Sequence, residues 1–170
     1  MKRSEAKSSR AAVEAPSRAA VEAPSRAAGE APEVTIRSAV AADAAAVLAL
    51  WGRARSGLAA VPDDERAIER LLDADAGALL VAEHDGEIVG ALIAAWDGWR
   101  GNLYRLAVTP ELRRSGIATR LVVAGEQRLR DKGAPRVTAL VWGEDVPALA
   151  LWGAAGYEHE RSIARFVRNL

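Results

Sequence analysis

The stretch Leu103-Tyr-Arg-Leu-Ala-Val-Thr-Pro-Glu-Leu-Arg-Arg-Ser-Gly-Ile-Ala118 decides the fold of this chain. Its first half, residues 103–108, is apolar and predicts a strand, and after a turn a helix begins at Gly116. The first N–H groups of a helix have no internal partner and favour anions. Arg113 and Arg114 add donors that suit phosphate oxygens. Taken alone, the stretch is either a phosphate-binding turn or an ordinary exposed connection, and the ordinary connection is the simpler interpretation.

The composition excludes several classes of function. The 170 residues suffice for one domain, and 23 acidic side chains balance 23 basic ones, so no global field attracts nucleic acid or a membrane surface. Cysteine is absent, which excludes a thiolate nucleophile and cysteine-ligated metals. His84 and His159 lack metal-ligand spacing, and no apolar run is long enough to span a bilayer. We therefore expect a cytoplasmic protein with no bound metal, no nucleic-acid partner and no membrane partner.

The first 33 residues differ in character from the rest of the chain. The octapeptide Arg10-Ala-Ala-Val-Glu-Ala-Pro-Ser17 recurs unchanged at 18–25 and in altered form at 26–33. Each copy offers at most one Val to a core, and its proline interrupts a helix after a turn or two. The pattern predicts a disordered tail over residues 1–33, either a spacer or a partner-binding segment, followed by one domain over residues 34–170.

Apolar periodicity in residues 34–170 predicts an α/β domain. An Asp-Gly turn and a second glycine-containing turn join the middle strands as hairpins, while one helix crosses over between the fourth and fifth strands. This order predicts a mixed sheet flanked by helices. The predicted elements are a strand at 34–37, helices at 43–58 and from 62, strands at 78–82, 88–96 and 103–108, a helix at 116–131, a strand at 136–142, a helix at 146–155, and one or two strands within 157–170.

Three segments resemble the GNAT superfamily of N-acetyltransferases, in its small bacterial form. Residues 106–118 are similar to the superfamily's acyl-CoA-binding motif, an apolar strand end followed by Arg or Gln, two residues, Gly, one residue, and Gly or Ala. The fixed positions are filled here by Arg113, Gly116 and Ala118. Residues 99–108 and 148–157 resemble two further family segments in the expected order. The resemblance covers residues 34–170 and implies a single GNAT-like domain that uses acetyl-CoA.

The resemblance also implies how acetyl-CoA would bind. Its diphosphate would lie on the N–H groups of the strand-to-helix turn, where glycine keeps side chains out of the way. Its pantetheine arm would pair like an added strand with the backbone of Leu106 and Val108, and an N–H near Ala107 or Val108 would polarise the thioester carbonyl. The implied cofactor-binding residues are Leu106, Ala107, Val108, Arg113, Arg114, Ser115, Gly116, Ile117, Ala118, Thr119 and Asp145. Relatives often carry Asn at the last position, where helix capping is the simpler role for Asp145.

The catalytic residues are less complete in this resemblance. Trp152 occupies the position where many relatives carry a tyrosine general acid, but an indole N–H has no useful acidity. Many relatives also place a Glu base on the central strand, whereas residues 102–108 contain no carboxylate. The remaining candidates are Asp97, Tyr104 and Glu144. Each has an ordinary explanation, respectively as a turn residue, a packing side chain and an exposed loop charge.

The sequence therefore predicts transfer of acetyl from acetyl-CoA to a primary amine by direct attack in a ternary complex. The acceptor is either a small molecule or a protein amine, and the resemblance implies that a homodimer is possible. Two alternatives stay open. One is a CoA-binding protein with little catalysis, and the other is an interaction protein that acts through its tail.

Overall fold

A computed structural model of the chain describes residues 32–54 and 63–168. The expectations for the tail up to residue 31 and for the helix end at 55–58 lie outside these residues. The described elements are β1 (Thr35–Ser38), α1 (Ala44–Ala54), α2 (Glu65–Ala74), β2 (Leu79–His84), β3 (Glu87–Trp96), β4 (Gly101–Val108), α3 (Ile117–Asp131), β5 (Val137–Ala139) and α4 (Val146–Ala154).

The strands form one mixed sheet in the order β1-β2-β3-β4-β5. Neighbouring strands from β1 to β4 pair antiparallel, whereas β4 and β5 pair parallel. A parallel pair needs a crossover connection, and α3 supplies it. The predicted mixed sheet flanked by helices, with its hairpins and its single helical crossover, is confirmed.

Apolar side chains are buried on both faces of the sheet. The central strands therefore read as nearly continuous apolar runs rather than as alternating ones. Burying one Leu, Ile or Val side chain contributes about 2 kcal/mol, so these two layers supply most of the stabilisation. The layer between the sheet and α1 and α2 includes Val47, Leu50, Trp51, Ile68, Val81 and Ile93. The layer on the α3 side includes Leu92, Leu103, Ile117, Leu121, Leu129 and, from α4, Trp152.

The carboxyl-terminal segment corrects the prediction of one or two last strands. Residues 158–168 form no strand, and Phe166 is 93% exposed. β5 is also shorter than the predicted 136–142 and ends at Ala139. Ile163, Phe166 and Val167 are the apolar residues that suggested a strand, and all three are exposed. β propensity mainly reflects packing on a half-buried surface, and this segment has no such surface within the described residues.

The pairing of β3 with β4 contains an irregularity in the middle of β4. Ala91 pairs with Ala107 whereas Ile93 pairs with Tyr104, so two steps along β3 correspond to three along β4. The extra residue forms a β-bulge that contains Arg105. Arg105 has φ 59°, a left-handed conformation that residues with a Cβ rarely adopt.

Candidate functional site

One edge of β4 is only partly paired. The ladder between β4 and β5 covers residues 101–103 of β4, and the Leu140 N–H adds one bond of 3.2 Å to the Leu103 carbonyl. Over residues 104–108 the described part of the chain places no strand on this side. The second half of β4 therefore presents an open edge to any extended ligand that can pair with it.

The direction of the backbone groups on this edge follows from the pairing on the other side. The Thr109 N–H donates to the Val89 carbonyl at 2.8 Å, and Ala107 pairs with β3 in the same phase. Successive residues of a strand direct their peptide groups to opposite sides. Val108 and the Leu106 carbonyl are therefore directed to the open edge, where the family resemblance implies pairing with Leu106 and Val108. The Ala107 N–H faces β3 instead. Of the two N–H groups that the resemblance implies near the thioester, those of Ala107 and Val108, the Ala107 N–H is therefore engaged within the sheet.

The turn after β4 ends in a helix N-terminus with free donors. Gly116 is the N-cap of α3 with φ 85°, and no side chain of residues 32–54 or 63–168 caps this end. The first bond here runs from the Arg120 N–H to the Gly116 carbonyl at 3.0 Å, so the N–H groups of Ile117, Ala118 and Thr119 lie ahead of it. Among the described residues, a Cβ added to Gly116 would meet no atom within 4 Å beyond its chain neighbours, so the backbone at the start of α3 is not crowded at this point. This is the geometry of an anion-binding site.

Within the turn, side chains close the loop and leave one arginine outward. The Ser115 hydroxyl donates to the Leu112 carbonyl, so this donor ties the turn together. The Arg113 Nη2 donates to the Ala54 carbonyl at 2.8 Å and its Nε donates to the Val108 carbonyl at 3.4 Å, which links the ends of α1 and β4. Arg114 is exposed and has a left-handed φ of 66°. Of the two arginines, Arg113 is thus partly engaged, while Arg114 is exposed beside the helix N-terminus.

A cavity of about 430 Å³ lies beside this turn, against the hairpin between β2 and β3. Its lining includes three carboxylates, Asp85, Glu87 and Glu111, with Arg53 and His84. Glu111 accepts a hydrogen bond from the Thr109 hydroxyl, and that bond, more than the charge of Arg53, lowers the pKa of its carboxyl. A predominantly acidic wall repels phosphate. The helix N-terminus, not this cavity, is the place where the chain suits an anion.

The predicted catalytic residue Asp97 lies away from the open edge of β4. The Asp97 carboxylate accepts from the N–H groups of Arg100 and Trp99 at 2.7 and 2.8 Å, and these bonds, Arg100 first, lower its pKa. It lies beyond the start of β4, roughly 20 Å from Val108 at the rise of a strand. Glu144 is exposed in the turn before α4.

Trp152 is 7% exposed and its ring packs edge-on against Tyr157, with centroids 4.9 Å apart. The Tyr157 hydroxyl donates to a Glu126 carboxylate oxygen at 2.9 Å. Burial, and then Glu126, raise the pKa of Tyr157 well above its usual value. The position where relatives carry the tyrosine acid is thus part of the core in this chain.

Two further predicted residues have local partners. Asp145 is the N-cap of α4 and accepts from the Ala148 N–H at 3.0 Å, which accounts for its side chain. Tyr104 lies on β4 next to the bulge and packs against the layer below α1. Burial raises the pKa of Tyr104, so its hydroxyl keeps its proton at neutral pH. Tyr104 lies in the half of β4 that β5 leaves unpaired.

A cluster around Arg105 was missed in the sequence. The Trp51 indole N–H donates to the Arg105 carbonyl at 3.1 Å, and the Arg105 guanidinium lies 5.4 Å from the centre of the Trp51 ring. The same guanidinium forms an ion pair with Asp63. The one sign of this cluster in the sequence is Arg105 itself, a charged residue within a mostly apolar strand. Its partners lie more than forty positions away in sequence.

Within the described residues, no group of three or more His, Asp or Glu side chains is arranged to hold a metal ion. The helices there are too short or too polar to cross a membrane.

Comparison with known proteins gives the following matches. A family model described as the acetyltransferase (GNAT) family matches residues 45–157. Acetyltransferase SG1711 from Sodalis glossinidius (strain morsitans) is 36% identical over 124 residues, which is 73% of this chain and 87% of that protein.

Two solved structures are also similar. The aminoglycoside N-acetyltransferase AAC(6')-Iy in complex with CoA has a TM-score of 0.68 at 19% identity, covering 84% of this chain and 99% of that one. An aminoglycoside acetyltransferase, meta-AAC0020, from an uncultured soil metagenomic sample in complex with trehalose has a TM-score of 0.65 at 22% identity, covering 81% of this chain and 96% of that one. At these identities the two structures share the fold.

Proposed function

The chain belongs to the GNAT family of acetyltransferases, and from this premise we propose that it transfers acetyl from acetyl-CoA to a primary amine in a ternary complex. One observation carries the proposal: the open edge of β4 leads directly into the uncapped N-terminus of α3. An extended ligand that ends in a diphosphate requires both features in that order. The pantetheine diphosphate of CoA is such a ligand.

The residues present fit CoA. At the turn, the N–H groups of Ile117, Ala118 and Thr119 are unpaired within the helix, and Gly116 leaves the approach to them open. Arg114, exposed beside them, adds charge. On the strand, the backbone groups of Leu106 and Val108 would pair with the amides of the pantetheine arm. We therefore propose that residues 113–119 hold the diphosphate and that β4 holds the arm.

When bound, acetyl-CoA supplies a thioester that an amine attacks: a C–N bond forms, the C–S bond breaks, and the amine's proton passes to the thiolate sulfur. The chain contains no cysteine, which supports direct attack rather than prior transfer to a thiol of the protein. Its own contribution is orientation, because holding two reactants in place removes much of the entropic barrier. The backbone N–H groups of the open edge add polarisation of the carbonyl.

Tyr104 is the candidate we retain for a role at the reacting groups. It lies beside the bulge, and its raised pKa keeps the hydroxyl protonated, so it would act as a hydrogen-bond donor rather than as a base. Asp97, held by two backbone N–H groups, and the buried Trp152 are poorly suited to proton transfer. We propose that the proton of the amine reaches the thiolate sulfur through solvent at the open side of β4.

The acceptor class is the least constrained part of the proposal. The two similar structures named above are both aminoglycoside acetyltransferases, which makes an aminoglycoside amine the first acceptor to assay. Polyamines, amino acids and peptide N-termini are the further classes to include.

The proposal is tested by calorimetric titration with CoA and by release of free thiol from acetyl-CoA across this panel of amines. We expect saturable CoA binding and thiol release that depends on the added amine. CoA binding without turnover on any amine would favour the alternative of a CoA-binding protein. The absence of CoA binding would overturn the proposal itself.

A further inference from the structure

The bulge of β4 is built on a residue in an unfavourable conformation. Arg105 has φ 59°, and for a residue with a Cβ the left-handed region is disfavoured by contact of Cβ with the following carbonyl. Asn and Asp adopt it more easily through local hydrogen bonds, but Arg has no such compensation. Strained residues of this kind persist when the surrounding structure holds them, and they concentrate at functional sites.

Two side chains hold Arg105, one at its backbone carbonyl and one at its guanidinium. The Trp51 indole fixes the backbone through its 3.1 Å bond to the Arg105 carbonyl. Asp63 fixes the side chain through an ion pair in which both partners are mostly buried, with side-chain exposures of 22% for Arg105 and 17% for Asp63. Between them, the guanidinium lies over the ring of Trp51. We call this set, Trp51, Asp63 and Arg105, the bulge clamp.

The clamp determines where the next amide points. The Arg105 carbonyl and the Leu106 N–H belong to one planar trans peptide, in which the two groups point in opposite directions. Because Trp51 holds the carbonyl on the α1 side, the Leu106 N–H points away from α1. The Ala107 N–H faces β3, so it does not compete. Leu106 therefore supplies the amide of the bulge that is directed away from α1, in the half of β4 that β5 leaves unpaired.

We propose that Trp51 and Asp63 are positioning residues, which hold the Leu106 N–H so that it donates to the thioester carbonyl of acetyl-CoA. This rests on the proposed function and names, within it, the side chains that aim the backbone donor. The alternative role for Arg105, direct recognition of an acidic acceptor, fits the contacts less well. Its charge is already paired with Asp63 and its plane already covers Trp51.

The first test replaces the donor alone. Trp51→Phe keeps an aromatic ring under the guanidinium but removes the indole N–H, and Trp99→Phe, at a residue 79% exposed, is the matched control. Acetyl-CoA with an isotope label at the thioester carbonyl is bound to each protein, and the carbonyl stretch is read by difference infrared spectroscopy. In the wild type and in Trp99→Phe we expect the stretch to shift to lower frequency on binding. In Trp51→Phe the shift should shrink, while the affinity for CoA without the acetyl group stays within about twofold, since the diphosphate site is untouched.

Turnover gives an independent measurement. We expect Trp51→Phe to lower kcat about tenfold with little change in the KM for acetyl-CoA. Deleting one such hydrogen-bond donor lowers kcat by about 100- to 1000-fold, and a donor that is still present but poorly aimed should lose less. Asp63→Asn, of nearly the same shape, should act in the same direction with a smaller effect. Asp63→Asn also provides the test of the clamp if Trp51→Phe does not fold.

A second pair of variants separates backbone strain from charge. Arg105→Ala and Arg105→Gly both remove the guanidinium, but only glycine adopts a positive φ without strain. If the clamp acts through the backbone, Arg105→Ala should lose about tenfold in kcat and Arg105→Gly about threefold. Equal losses, together with an equal rise in the KM of the amine, would show that the guanidinium binds the acceptor and would overturn the inference.

The outcomes also separate this inference from the proposed function. If the wild-type protein does not bind acetyl-CoA, both the proposed function and the bulge-clamp inference are overturned. Bound acetyl-CoA with an unshifted carbonyl stretch, or a Trp51→Phe protein with the wild-type stretch and the wild-type kcat, would overturn the bulge clamp alone and leave the acetyltransferase proposal standing.

Discussion

Gly116 and Gly133 form a matched pair for testing the diphosphate site. They flank α3, with φ of 85° before the helix and 84° after it. At both positions an added Cβ would meet no atom within 4 Å. Gly116→Ala and Gly133→Ala therefore introduce the same methyl group into the same backbone conformation, at opposite ends of one helix. At Gly116 the methyl group would face the proposed position of the CoA diphosphate, whereas no ligand is proposed at Gly133.

The effect on stability should be similar for the two variants. Forcing a Cβ into the left-handed region costs about 1–2 kcal/mol. For a domain of this size we expect a decrease in Tm of about 3–6 °C. The effect on CoA binding should differ. A hydrogen bond to a charged group contributes about 1.5–3 kcal/mol, so loss of one N–H contact to the diphosphate corresponds to roughly 10- to 100-fold weaker binding. We expect this loss in Gly116→Ala only.

The measurements are thermal unfolding of each variant without ligand, followed by calorimetric titration with CoA well below the lower Tm. Gly133→Ala controls for any general loosening of α3, since it carries the strain without the obstruction. If the two variants bind CoA with the same affinity as each other, the diphosphate does not lie on the start of α3. If Gly116→Ala leaves Tm unchanged, the left-handed start of the helix is refuted as well.

Three further predictions concern individual carboxylates. Arg37 bonds the Asp43 carboxylate at 2.7 and 3.0 Å and lowers its pKa below the ordinary 3.8, so the stability it adds is present above that value and lost as the pH falls through the folded pKa. Asp43→Asn should thus lose about 1 kcal/mol at neutral pH and progressively less as the pH falls below 3.8, measured by urea unfolding. Asp145→Ala removes the cap of α4 and should cost about 1 kcal/mol in the same assay, and an unchanged value would contradict the cap. Asp97→Asn should leave kcat within about twofold of wild type, whereas a tenfold loss would restore Asp97 as a base.

The parts of the fold that local signals determine were predictable. An Asp-Gly pair between apolar runs specifies a hairpin, and the turn from 109 to 116 specifies a change from strand to helix. Both were found where the sequence placed them. The carboxyl-terminal strands were not, because Ile163, Phe166 and Val167 carry the composition of a strand but lack a surface to pack on within the described residues.

The candidate site was predictable to the same extent and for the same reason. The donors at the start of α3 depend on one segment, so the sequence placed them. The bulge clamp depends on residues from α1, from the segment just before α2 and from β4, and no pattern within any one segment relates them. Asp145 shows the converse: its hydrogen bond to a neighbouring backbone N–H accounts for it without any ligand.

The bulge also changes which residues of β4 face β5, and this keeps β5 from pairing along the open edge of β4. Before the bulge the odd-numbered residues face β5, since Gly101 donates to the Arg136 carbonyl and Leu103 accepts from Leu140. After it the odd-numbered residues face β3, as the bond from Thr109 shows. A longer β5 would meet peptide groups in the wrong phase and could not continue the ladder without shifting by one residue. The first half of β4 therefore pairs with β5, and its second half keeps the edge along which we propose that the pantetheine arm of CoA lies.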